Sequence, residues 1–172
     1  MIIRKLKEED LKTRVEWMNS PAIYESMHFE IPVTYEKTLT WYQTNLGSDK
    51  RADLVVEDNG EILAFCGITG IDKTILKGEI YTFVNPFKKH KGIGTKAKML
   101  MAEYAFTVLK LNKLFSITNE DNIPSFKINE KLGFIKEGQF RREYLTKNGE
   151  LKDRLYWGLL REDWERLKLE IE

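Results

Sequence analysis

The sequence predicts an α/β fold built on a single mixed, mostly antiparallel, twisted sheet flanked by helices. Three observations predict it. Asn59-Gly60 and Asn148-Gly149 each sit between two strand-like segments, the strongest short hairpin signal, and hairpins make antiparallel neighbours. The run from Glu79 to Thr118 reads strand, helix, strand, which makes parallel neighbours. The chain has 172 residues, 42% hydrophobic and 32% charged, with no repeat and no proline/glycine-rich linker, so one globular domain spanning 1–172 is expected.

The elements follow in order. Ile2 to Leu6 alternates as a short strand does, Glu9 to Met18 reads as a helix, and Pro21 begins a second short one. A loop carrying Met27-His28-Phe29-Glu30-Ile31-Pro32-Val33 leads to Thr34, an N-cap for a helix from Tyr35 to Leu46. Strands at Ala52–Glu57 and Ile62–Asp72 flank the first hairpin, and Glu79–Asn85 is a strand stopped by Pro86. Ala97, Leu100, Met101, Tyr104, Ala105 and Val108 then fall at helical spacing with one apolar face. Leu114–Thr118 is a strand. Asn122 caps a helix that has Pro124 in its first turn and Gly133 just past its end. Strands at Phe134–Phe140, Arg142–Thr146 and Leu151–Leu159 precede a last helix around Trp164. Trp17, Trp41, Trp157 and Trp164 are expected to anchor these elements to the core.

Composition removes several function classes. The single cysteine, Cys66, lies in an apolar strand and reads as core; it can form no internal disulfide, and there is no cysteine–histidine metal cluster. No metal is expected. The charged N-terminus has no secretory h-region and no apolar run is long enough to span a bilayer, so no membrane partner and a reducing cytoplasm are the expectations. A net charge of +1 argues against nucleic acid as a partner, although Pro86 to Lys98 holds five lysines and no acid.

That basic stretch carries the chemistry. A strand ends at Asn85, a loop follows, and the loop opens a helix at Gly92-Ile-Gly94. Glycines at this spacing let backbone approach a bulky group, and a helix start offers unpaired N–H donors that favour phosphate; Lys89, Lys91 and Lys96 add positive charge. The P-loop spacing is absent. A dinucleotide fingerprint fits the glycines on paper, but they lie too far past the strand end and no acidic residue closes the next strand.

Lys89-His-Lys-Gly-Ile-Gly94 resembles the acyl-CoA signature of the GNAT N-acetyltransferases, with Lys89 in the place of a glutamine or arginine. Asn122-Ile-Pro-Ser-Phe-Lys-Ile-Asn-Glu-Lys-Leu-Gly-Phe134 is similar to the family's second block. The C-terminal run from Glu137 to Trp164 resembles the branch of ribosomal-protein N-terminal, spermidine and nucleotide-amino-sugar acetyltransferases. The resemblance implies a GNAT-like acyl-CoA N-acyltransferase fold and an acetyl-CoA-dependent N-acetyltransferase acting on a primary amine by direct attack.

It also implies site residues. Backbone groups of Phe83, Val84 and Asn85 would pair with the pantetheine arm, and Lys89, His90, Lys91, Gly92, Ile93, Gly94 and Thr95 would cradle the pyrophosphate. Asn122 and Ser125 would line the cofactor's other side, with an N-cap role as the other reading of Asn122. Glu79 is the expected base, and a strand N–H near Val84 the expected oxyanion donor. Many family members carry a thiolate-protonating tyrosine at the place of Asn129, so that acid is unassigned, with Ser125 as a substitute or solvent in its stead. His28, Phe29, Glu30, Tyr81 and Tyr144 are expected against the acceptor. A protein N-terminal amine and a nucleotide-linked amino sugar rank level as acceptors, ahead of a polyamine. A non-catalytic acyl-CoA sensor on the same fold is the alternative function, and a homodimer is compatible with the fold's edge strands.

Overall fold

The computed structural model describes residues 1–27, 30–88, 91–146 and 148–171. His28, Phe29, Lys89 and His90 lie outside the described residues.

Seven strands, β1 (Ile2–Lys5), β2 (Ala52–Asp58), β3 (Glu61–Asp72), β4 (Lys77–Val84), β5 (Lys113–Asn119), β6 (Ile135–Leu145) and β7 (Leu151–Leu160), form one sheet in the order β1-β2-β3-β4-β5-β7-β6. Every neighbouring pair is antiparallel except β4 with β5. The helices are α1 (Leu11–Met18), α2 (Pro21–Tyr24), α3 (Tyr35–Asn45), α4 (Ile93–Thr107), α5 (Ile123–Lys131) and α6 (Arg161–Ile171). The first hairpin turns at Asn59 and Gly60, both at positive φ, as a two-residue turn matched to strand twist requires.

Burial on both faces explains the apolar strands. Leu54 and Val56 of β2 pack with Ile80, Ala97, Met101, Phe134 and Trp164 in one cluster, under α4 and α6. Val55, between them, points the other way and packs with Leu11, Trp17, Phe65 and Phe83, under α1 to α3. The period of two along a strand thus feeds two separate cores. Cys66 is fully buried in the first. Trp17, Trp157 and Trp164 are buried, and Trp41 packs half-buried against the second core.

Two expectations are corrected. Val108, placed on the buried face of α4, is exposed, because the helix ends at Thr107 and the chain has begun to turn away. The separate strands expected at 134–140 and 142–146 are one strand, β6, irregular around Arg142, whose φ is 53°. The Arg142 N–H donates to Asp153 on β7 (2.8 Å), so the register shift does not break the pairing.

The feature that positions the site is where the parallel pair fails. β4 and β5 pair only from Lys77↔Lys113 to Glu79↔Phe115. Beyond that, β4 stays on β3 as far as Val84 while β5 stays on β7 as far as Asn119. The two strands diverge, and a wedge opens in the middle of the sheet.

Candidate active site

Glu79 stands at the apex of the wedge, on the last paired rung of β4 and β5. On β4 the free edge can be read from the register. The Asn85 N–H donates to Leu63 of the β3 side (3.0 Å), so by strand alternation Phe83 and Tyr81 also turn their amides to β3. Val84, Thr82 and Ile80 therefore present their N–H and C=O groups to the open wedge. Of the three residues expected against the pantetheine arm, Val84 alone turns its backbone groups to this open edge. The amides of Phe83 and Asn85 are spent on β3, and the Asn85 side chain accepts from the Phe87 N–H (2.9 Å). Val84 keeps its place on the open edge, and Thr82 joins it.

The start of α4 closes one end of the wedge. Gly92 is the N-cap at φ 82°, a left-handed conformation that costs other residues energy, and its carbonyl accepts from Lys96 (3.0 Å). The N–H groups of Ile93, Gly94 and Thr95 precede that first helical bond and are orphans of the helix start. A Cβ on Gly94 would stand 3.0 Å from Ile128 of α5 and 3.9 Å from Val84, so the missing side chain lets helix, wedge wall and α5 converge. Lys91 is exposed beside them.

Asn122 is the N-cap of α5, its Oδ1 accepting from the Ser125 N–H (3.2 Å). Ser125 sits half-buried in the first turn. One turn further, Asn129 is fully buried. Its Oδ1 accepts from Nζ of Lys98 on α4 (2.7 Å), and its Nδ2 has no partner. Burial pushes the Lys98 ammonium down to about 8, with no carboxylate within salt-bridge distance of it among the described residues. The Thr82 hydroxyl on β4 is likewise buried without a partner. Sequence reasoning missed Lys98, counting it only among the loop's lysines; its i, i+4 spacing from Gly94 on the α5-facing side was the available signal.

On the other face of the sheet, Tyr81, expected against the acceptor, packs among charged and aromatic side chains. Its hydroxyl donates to Asp53 (2.6 Å), which also holds Arg51, and its ring lies 5.8 Å from the guanidinium of Arg14. Arg14 is buried over Trp41, Phe65 and Phe83 as well, so Tyr81 belongs to the wall that fixes β4. Glu79 is half-buried and its carboxyl is raised by desolvation, an effect opposed by the charge of Arg154. Arg154 in turn donates to Asn119 (3.3 Å) and lies over the Tyr144 ring. Asn119, Asn122 and Tyr144 line an open cleft of about 390 Å³ together with Glu25, Asp121 and Glu150. Lys152 is the one described cation in that lining, and it pairs with Asp121 (2.8 Å). Glu30 is exposed in the preceding loop and is not part of that lining.

Residues 1–135 match the family described as Acetyltransferase (GNAT) domain. The chain is a GNAT acetyltransferase. It is 27% identical over 151 residues to a spermidine N(1)-acetyltransferase of Escherichia coli K12, covering 88% of this chain and 81% of that one. It is 31% identical over 107 residues to a putative ribosomal N-acetyltransferase of Bacillus subtilis, covering 62% and 58%. The spermidine N-acetyltransferase of Vibrio cholerae, solved with CoA and spermine, superposes with a TM-score of 0.88 at 22% identity, covering 95% of this chain and 96% of that one, a likeness of fold. As a GNAT enzyme the chain transfers acetyl from acetyl-CoA to an amine. No helix among the described residues is long and apolar enough to cross a membrane, and no group of side chains among them is arranged to hold a metal ion.

Proposed function

We propose that this GNAT enzyme acetylates a small, positively charged primary amine of the polyamine type, with the thioester lying in the β4–β5 wedge. The observation that carries the acceptor class is the charge of the cleft. Glu25, Asp121 and Glu150 face Lys152 alone among the described lining residues, an excess of negative charge that favours a cation. Arg154 links that cleft to Glu79 at the apex. The likeness to a spermidine acetyltransferase over most of both chains supports the same class and raises the polyamine above the two acceptors that the sequence ranks ahead of it.

In this reading the pantetheine arm pairs with the free edge of Val84 and Thr82 as an added strand would. The pyrophosphate rests on the N–H groups of Ile93, Gly94 and Thr95, with Lys91 nearby. The acceptor arrives as an ammonium ion and must lose a proton before it can attack. Glu79 serves as the base, directly or through water; its raised carboxyl suits the task better than a fully solvated one. The inward N–H of Thr82 or Val84 stabilises the oxyanion, because a donor fixed in place needs no reorganisation during the reaction.

The test is thiol release from acetyl-CoA with spermidine, spermine, peptides with free N-termini and nucleotide amino sugars. Polyamines should be the fastest substrates, and Glu25→Gln with Glu150→Gln should raise their KM with little change in kcat. Faster turnover of a peptide or amino sugar, with an indifferent KM in the double variant, contradicts the acceptor assignment.

A further inference from the structure

Three buried polar groups, Lys98, Asn129 and Thr82, lie on the α4 side of the wedge, and only the first two are hydrogen-bonded to each other. β4 and β5 are parallel, so the connecting α4 must run back antiparallel to β4. Gly94 is level with Val84. From 94 to 98 the helix rises about 6 Å, and from 84 back to 82 the strand covers about 6.7 Å. Lys98 is therefore level with Thr82. Asn129 on α5 meets Lys98 from the third side. Thr82 Oγ1 and Asn129 Nδ2 both lack partners, and the Lys98 ammonium has three protons for the one acceptor recorded. Buried polar groups are rarely left so: the Asn129 amide and the Lys98 ammonium hold protons without an acceptor, and the Thr82 hydroxyl bonds to neither of them.

We propose that Lys98, held in place by Asn129, gives the departing coenzyme A sulfur its proton in this chain. The inference rests on the placement of the thioester in the wedge. The amine nitrogen bonds to the carbonyl carbon, the C–S bond breaks, and its electron pair leaves on sulfur. Lys98 passes one proton to that sulfur, forming the thiol, and its neutral amine regains a proton from solvent. The sum is an ammonium and an acetyl thioester giving an amide, a thiol and one released proton. Asn129 lacks an acidic proton, and its contribution is to aim the ammonium. A lysine lowered to about 8 remains largely protonated at neutral pH yet donates more readily than an exposed one.

The charged groups around Lys98 are turned elsewhere. Glu130 and Lys131 flank Asn129 on α5 but are exposed. Glu103 on α4 pairs with Lys168 of α6, and Lys96 is exposed. On β4, Glu79 belongs by alternation to the opposite face from Thr82.

The decisive experiment needs no acceptor. Coenzyme A bound to the full chain is titrated by the ultraviolet absorbance of its thiolate, in wild type, Lys98→Met and Lys98→Gln. An ammonium beside the sulfur favours the thiolate only where Lys98 is still charged, so at pH 7.5 the thiolate fraction of the bound CoA should be several-fold higher in wild type than in either variant. CoA affinity by calorimetry at pH 6.5, where the thiol is protonated, should be little changed. Kinetically, kcat should fall about 100-fold in Lys98→Met, and Asn129→Tyr added to Lys98→Met should restore at least part of it. Identical thiol titrations in the three proteins overturn the proposal, as does a kcat loss explained by lost CoA binding. Failure of every amine in the panel would instead sink the acceptor reading, because the thiol titration is independent of it.

Discussion

Replacing Lys98 by Met should stabilise the fold at neutral pH relative to its effect in alkali, because the buried ammonium is charged at the first and neutral at the second. Moving an ammonium from its ordinary 10.5 to about 8 by burial amounts to about 3 kcal/mol, since each pH unit is worth roughly 1.4 kcal/mol. The folded-state value lies below the unfolded one, so between about pH 8 and 10.5 the unfolded chain holds the extra proton and wild-type stability rises with pH. Below pH 8 both states hold it, and the full penalty applies. Lys98→Met removes this dependence. It also leaves the Asn129 carbonyl oxygen without its donor, which costs about 1–3 kcal/mol, but that cost does not change with pH and cancels in the comparison. Urea unfolding of both proteins at pH 7 and pH 10 measures it. The stability of the variant minus that of wild type should fall by most of the 3 kcal/mol between the two conditions. A difference that is the same at both pH values would mean that the ammonium is solvated and carries no burial penalty.

Glu79→Gln should lower kcat/KM by about 100-fold at neutral pH, and the acid limb of the wild-type profile should lie above the ordinary carboxylate value, since a base must be ionised to act; an unchanged rate rejects Glu79 as the base. Gly92→Ala forces a side chain into φ 82° and should cost about 1–2 kcal/mol by thermal or urea unfolding, together with weaker CoA binding by calorimetry. Tyr81→Phe removes one hydrogen bond to an Asp53 still held by Arg51, so stability should drop by about 1 kcal/mol while polyamine KM stays put; a raised KM would return Tyr81 to the acceptor site.

Most elements were legible in the sequence because each had local chemistry to announce it. Asn59-Gly60 named its turn, Thr34 and Asn122 capped their helices with the bonds expected of them, and Gly133 ended α5 at positive φ. What stayed hidden depends on contacts across the sheet. No local pattern says that β4 and β5 pair for three rungs and then part, and that divergence decides which of Thr82, Phe83, Val84 and Asn85 has a free amide. Tyr81 shares a strand face with Glu79, as alternation requires, yet Asp53, Arg51 and Arg14 draw it into a wall. Lys98 looked like one more surface charge because its partner, Asn129, is 31 residues away in the chain.

If the free edge of β4 receives the cofactor, amide hydrogen exchange measured residue by residue, with and without CoA, will show it. An alternation is expected: protection rises on CoA binding at Thr82 and Val84, whose N–H groups face the wedge, and changes little at Phe83 and Asn85, already bonded to β3. Protection that rises at Phe83 and Asn85 instead, or equally along the strand, would contradict it.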